Sequence, residues 1–217
     1  MSLDRLRIQT VDFTDTHLRL ELAGGRTVEG FLRRHNLLDA TPEQRAAWVL
    51  ADEGLSVRWP ALGRGGRGIT VGAQDLAWDQ ICEGALAELA RAGWKLDAVP
   101  LRQQQIAALW RLEADGYNGG FLQFFCNWGE ANCAIALNAL QAIGASATHA
   151  VVSRQRAVVA RLEDHPELKA YDDIPRLLSE EERSLIGEEL DEALWDAAEE
   201  IPLRAAAHYF DELPPRT

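Results

Sequence analysis

Glu188, Glu192, Asp196 and Glu200 recur at every fourth position near the end of a 217-residue chain. On an α-helix that spacing stacks four carboxylates on one face. Each like-charge contact costs about 0.2–0.5 kcal/mol, so the three intervals cost roughly 1 kcal/mol. Only Arg204, four residues past Glu200, offers local relief. Opposite the acids, Ile186, Leu190, Leu194, Ala197 and Ile201 form an apolar face. Such a line is either solvated for solubility or directed at a basic surface. The chemistry it offers is electrostatic attraction, not a reaction.

Other reactive residue types are scattered. His17, His35, His149, His165 and His208 form no HxxxH or HExxH pair, so sequence-local ligands assign no metal site. Cys82, Cys126 and Cys133 are an odd count without a CxxC, which argues against a disulfide framework and fits a reducing cytoplasm. The stretch Gly63-Arg-Gly-Gly-Arg-Gly68 has the composition of a phosphate cradle or a small nucleic-acid contact. It leads into the strand-like Ile69-Thr70-Val71, however, where a phosphate loop would open a helix, so it reads as a hairpin loop. Glu113 and Asp115 near Gly116 read as a helix end or as partners for a backbone amide. No GxSxG elbow, Walker loop or dinucleotide fingerprint occurs. The sequence thus assigns no catalytic residue, cofactor or metal, and the expectation is a protein that is not an enzyme.

The densest pattern lies in the middle of the chain. Gly119 and Gly120 stand directly before Phe121, Phe124, Phe125 and Trp128, with the amides Gln123 and Asn127 between them. Aromatics at i, i+3, i+4 and i+7 form one buried helical face. The glycines permit a sharp turn or a close approach of two helices. Gln123 and Asn127, four apart, are expected to hydrogen-bond inside the fold.

The surrounding elements predict an α+β chain: a small β-rich amino-terminal domain with one helix, residues 1–79, then an all-α bundle, residues 80–217. Leu18, Leu20 and Leu22 alternate with Arg19 and Glu21 as a half-buried strand. Ala23-Gly24-Gly25 supplies a turn into a return strand from Thr27 to Arg33, and an earlier strand spans Leu6 to Phe13. Thr41, Pro42 and Gln44 open a helix as a capping box; it is expected to carry Trp48 and Leu50 inward and to stop near Gly54. Short closing strands are predicted at Val57-Arg58-Trp59-Pro60 and Gly68-Ile69-Thr70-Val71. Helices follow over Asp75–Arg91, Pro100–Glu113, the aromatic segment, Ala131–Ile143, Ala147–Leu162, Ser179–Glu200 and onward to about Leu213.

The charge is uneven. Residues 1–79 hold 10 Lys/Arg and 11 Asp/Glu, and residues 1–162 hold 17 of each. Residues 163–217 hold 5 Lys/Arg against 17 Asp/Glu, so the whole net charge of −12 lies in the last quarter. Such a field repels nucleic acid and attracts basic partners. No apolar run approaches a membrane span, and Met-Ser-Leu-Asp-Arg lacks the apolar stretch of a signal peptide.

The run Glu113-x-Asp115-Gly116-x-Asn118-Gly119-Gly120-Phe121-x-Gln123-Phe124-Phe125-x-Asn127, followed by Ala139-Leu140-x-x-Ile143-Gly144-Ala145, resembles the helical DNA-mimic protein family, number nineteen in the mimic series. The resemblance covers roughly residues 80–217. It implies an acidic helical protein, a homodimer, that occupies the DNA-binding surface of a transcriptional regulator. Residues 4–79 resemble a small bacterial α+β family of unknown function, through the paired strands, Leu37-Leu38-x-Ala40-Thr41-Pro42-Glu43-Gln44-Arg45 and Gly54-x-x-Val57-x-Trp59-Pro60. That resemblance implies a fold and no activity.

The expectation is therefore a cytoplasmic, non-enzymatic interaction protein that binds a basic partner through Glu188, Glu192, Asp196 and Glu200. Direct nucleic-acid and membrane binding are not expected. Two alternatives stand beside it: an adaptor whose residues 1–79 make the specific contact, and a hydrolase or small-ligand protein with a site between the domains.

Overall fold

Leu18, Leu20 and Leu22 are almost fully buried while Arg19 between them is exposed. That alternation is what a strand with one wet face requires. In the computed structural model, which describes residues 3–214, it belongs to β2 (His17–Leu22), between β1 (Ile8–Phe13) and β3 (Thr27–Phe31) in an antiparallel sheet. A second antiparallel sheet has the order β4 (Val49–Ala51), β5 (Ser56–Trp59), β6 (Ile69–Gly72). The Gly63–Gly68 loop joins β5 to β6 as a hairpin, pairing Trp59 with Ile69.

Helix α1 (Pro42–Ala46) begins with a complete capping box: Gln44 N donates to Thr41 Oγ1 at 3.2 Å and Thr41 N to Gln44 Oε1 at 2.8 Å. It is shorter than the sequence suggests. Trp48 and Leu50 are not carried inward on it: Leu50 lies in β4, paired with Val57 and 48% exposed. The physical reason is tertiary. Val49–Ala51 pair with β5 instead of extending the helix, and Trp59 Nε1 donates at 2.8 Å to the carbonyl of Arg45, one of the acceptors left open at the helix end. Positive φ at Asp52, Glu53 and Gly54 then turns the chain into β5.

The described chain divides into two compact units. The first takes the residues up to Gly84 together with those from Ala205 onward; the second is Ala85–Arg204. In the first, Trp78 stacks on Tyr209 with centroids 6.4 Å apart, and Arg5 lies 4.2 Å over the Phe210 ring.

The helices are α2 (Ala73–Arg91), α3 (Leu101–Ile143), α4 (Ser146–Ala160), the short α5 (Ile174–Leu177) and α6 (Glu180–Ser184), α7 (Asp191–Ala198) and α8 (Ile201–His208). Gly144, at φ 77, ends α3 in the left-handed conformation that glycine adopts without steric cost. The acidic stretch from Ser179 to Glu200 is not one helix. Ser179 caps α6, a π-helical turn (Leu185–Leu190) follows, and α7 ends before a turn at Glu199 and Glu200. The chain is α+β, with its sheets early and its helices late. Among the described residues no helix is long and apolar enough to cross a membrane.

Candidate functional site

Helix α3 is broken twice, and both breaks lie in the aromatic motif. Gly119 and Gly120 leave helical geometry, Gly120 at φ 78 and ψ −174, and Gly129 repeats this at φ 72 and ψ −177. Three helical segments result. Phe121, Phe124 and Phe125 on the middle one are buried, with the Phe121 and Phe125 centroids 5.5 Å apart. Trp128, the fourth aromatic of the pattern, stays partly exposed.

Two carboxylates secure the middle segment after the Gly119–Gly120 break. Asp191, at the start of α7, accepts from Phe121 N at 2.9 Å and from Gln155 Nε2 of α4 at 2.7 Å. It caps the middle segment from 70 residues away, where the helix dipole favours negative charge. Burial nevertheless pushes the Asp191 carboxyl up, with these two hydrogen bonds opposing. Asp115, at the end of the first segment, accepts from Gln123 Nε2 at 2.9 Å, Asn127 Nδ2 at 3.0 Å and Trp128 Nε1 at 2.7 Å. The Arg111 guanidinium lies 3.8 Å over the Trp128 ring; burial lowers its pKa, and Asp115 opposes that shift. Gln123 and Asn127 thus hold two segments together across the Gly119–Gly120 break.

Of the four spaced acids, the structure brings three into solvent. Glu188 is exposed in the π-helical turn and accepts from Ser184 Oγ at 2.7 Å. Glu192 and Asp196 are exposed on α7, and neither has an ion-pair partner among the described residues. A turn closed by i→i+5 bonds slips the helical register, so Glu188 is offset from the line of the other two. Glu200 turns inward. Its side chain is 21% exposed, accepts from Thr148 N at 3.2 Å and Thr148 Oγ1 at 3.1 Å, and pairs with Arg204 at 2.8 Å. It serves the amino terminus of α4. Glu199 is exposed instead, seven residues past Glu192.

Three rings outside the aromatic motif face solvent on α3 and α7. Trp110, Tyr117 and Trp195 are 37%, 51% and 43% exposed. Tyr117 Oη donates to the carbonyl of Trp195 at 3.3 Å, and Trp195 Nε1 donates to the carbonyl of Gly116 at 2.7 Å. The signal available was the i, i+7 spacing of Trp110 and Tyr117, opposite the buried Ala108 and Leu112.

A cavity of about 340 Å³ lies elsewhere in the second unit, walled by Phe125, Val159, Tyr171 and Ile174 beside the ion pair of Arg156 and Glu130. The thiols near this region are poor nucleophiles. Burial pushes Cys126 up to about 11 and Cys133 up to about 12, with Asp172 and Glu130 respectively adding to the effect. At pH 8, iodoacetamide is therefore expected to alkylate Cys126 roughly a hundredfold more slowly in the native chain than in urea, following thiolate population. Equal rates measured by mass spectrometry would contradict the burial of this thiol. Among the described residues no group of three His, Cys, Asp or Glu side chains is placed to hold a metal ion.

Comparison with known proteins adds one finding. A family model described as DMP19-like protein matches residues 97–212, which contain all of α3, the two carboxylate clusters and the acidic face. No curated protein and no solved structure matches the chain significantly.

Proposed function

From the premise that this chain belongs to the DMP19-like protein family, we propose that it is a non-enzymatic acidic interaction protein. Its second unit binds the basic surface of a DNA-binding protein, in the manner of a DNA mimic. The observation that carries this reading is the exposure of Glu188, Glu192 and Asp196 without an arginine or lysine partner. Residues 85–204 hold 11 Lys/Arg against 20 Asp/Glu, so those three acids sit in a field of their own sign. Unpaired like charges on one face raise the free energy of the isolated chain, and a cationic partner lowers it again.

A duplex carries one charge per ~1.7 Å of axis, whereas acids four residues apart on a helix are separated by about 6 Å. Three carboxylates on one chain are too sparse to imitate a duplex alone. Other exposed acids, such as Glu180 and Glu181 at the start of α6, or a second chain, complete the pattern.

The test compares the full chain with Glu188→Lys/Glu192→Lys/Asp196→Lys as bait in a cell lysate. Glu200 is left in place because it supports α4. The expected result is recovery of a DNA-binding protein that duplex DNA displaces, with at least about tenfold weaker binding by the triple variant. Equal recovery by both baits would defeat this reading and favour residues 1–79 as the contact.

A further inference from the structure

We propose that Trp110, Tyr117 and Trp195, bordered by Glu192, Asp196 and Glu199, form a docking surface for an arginine-bearing segment of the basic partner. This deepens the function proposed above and rests on it. Trp110 and Tyr117 lie two turns apart on the first segment of α3, and both are exposed. Ala114 stands exposed between them and offers only a methyl between the two rings. Trp195 joins them from α7, where Glu192 is three residues before it and Glu199 four after it, the spacing of one helical face.

Two of the three rings are fixed rather than loose. The bond from Tyr117 Oη to the Trp195 carbonyl and the bond from Trp195 Nε1 to the Gly116 carbonyl tie α3 to α7 through the patch itself. Gly116 is buried, and a methyl added there would meet Leu194 of α7 at 3.4 Å. An aromatic surface ordered in advance loses little freedom when it binds. The Tyr117 phenol is pushed up by burial and by the carboxylates of Glu113 and Glu199, which places acids on both helices beside the rings.

Charge selects the occupant. Aromatic faces attract cations, and a guanidinium can stack on a ring while its edge donates two hydrogen bonds to a carboxylate. An ammonium matches only the charge. The chain already holds one guanidinium on a ring, Arg111 over Trp128, whose indole Nε1 donates to Asp115. A second copy is disfavoured, because a two-fold interface through this patch would gather both copies of Glu192, Asp196 and Glu199 into one interface. Phosphate-rich partners meet the same repulsion.

The test uses fluorescently labelled nona-arginine and nona-lysine as probes, titrated with the full chain at two salt concentrations. The wild-type chain is expected to bind nona-arginine at least about fivefold more tightly than nona-lysine. Trp110→Ala removes a ring that makes no hydrogen bond among the described residues. It is expected to weaken nona-arginine about fivefold and to leave nona-lysine nearly unchanged, in a chain whose circular dichroism shows it still folded at the assay temperature. Glu192→Gln/Asp196→Asn/Glu199→Gln should weaken both probes and flatten their salt dependence. Equal affinity for the two probes, or an unchanged preference in Trp110→Ala, overturns the docking surface. If the charge variant alone matters, the acidic interaction protein survives without it. Failure of both probes to bind overturns both readings. A dimer that becomes monomeric in Trp110→Ala, measured by sedimentation, assigns the patch to a second copy and overturns the arginine segment.

Discussion

Gly120→Ala is expected to destabilise the second unit strongly, by about 4 kcal/mol. A Cβ on Gly120 would stand 1.9 Å from Asp191 Oδ2, well inside any tolerable contact. The backbone there, at φ 78 and ψ −174, lies in a region essentially reserved for glycine. Asp191 has no easy retreat. It accepts from Phe121 N and from Gln155 Nε2, and Gln155 Oε1 is already buried without a partner. Moving the carboxylate would uncap the middle segment of α3 and strand the Gln155 amide in the core. Backbone strain and overpacking each cost about 1–3 kcal/mol, so a loss of about 4 kcal/mol is expected. That is a large share of the stability of an ordinary domain, about 5–15 kcal/mol. Urea denaturation followed by circular dichroism measures it, and a midpoint close to that of the wild type would refute the packing of this break. Gly187→Ala is the contrast, since nothing lies within 4 Å of its added methyl. It is expected to be neutral or slightly stabilising.

The second large effect is expected at Asp115. Asp115→Ala removes the acceptor of three side-chain donors, from Gln123, Asn127 and Trp128. Asn127 and Trp128 are exposed enough for water to replace part of what they lose, whereas Gln123 is half-buried. Arg111 suffers more. It is almost fully buried, its Nε has no partner, and Asp115 is the charge that opposes its desolvation. Removing one member of such a group leaves the other uncompensated. A loss of about 3 kcal/mol is expected, with a shifted Trp128 fluorescence as the local signature. Asp115→Asn keeps one carbonyl oxygen and should lose roughly half as much. A melting temperature within about a degree of the wild type would show that the three donors are satisfied by water instead. The same cluster holds the first segment of α3, which carries Trp110 and Tyr117, so its loss should also weaken partner binding.

Signals confined to four or five residues are legible in the sequence and reappear in the structure. The capping box of Thr41 with Gln44 forms as expected. So do the strand alternation through Leu18, Leu20 and Leu22, the hairpin around Gly63–Gly68 and the stop at Gly144. The Gly119-Gly120 pair announces a turn or a close approach, and the structure uses it for both. Each of these follows from local backbone chemistry: a cap, a pleat or a positive φ depends only on neighbours along the chain.

What lay beyond reach depends on residues far apart in sequence. Nothing near Asp191 indicates that it caps Phe121, and nothing near Glu200 indicates that Thr148 draws it out of the acidic line. A four-residue repeat assumes one uninterrupted α-helix, and the π-helical turn from Leu185 to Leu190 alters that assumption. The pairing of Val49–Ala51 with β5 likewise keeps α1 short. The sequence by itself determined the α+β class, the acidic character and the family motif, because composition and short-range periodicity carry them. Only the tertiary structure decided which acids face solvent and which rings stand beside them. Burial of a charge is settled by the partners that packing brings to it, not by its spacing along the chain.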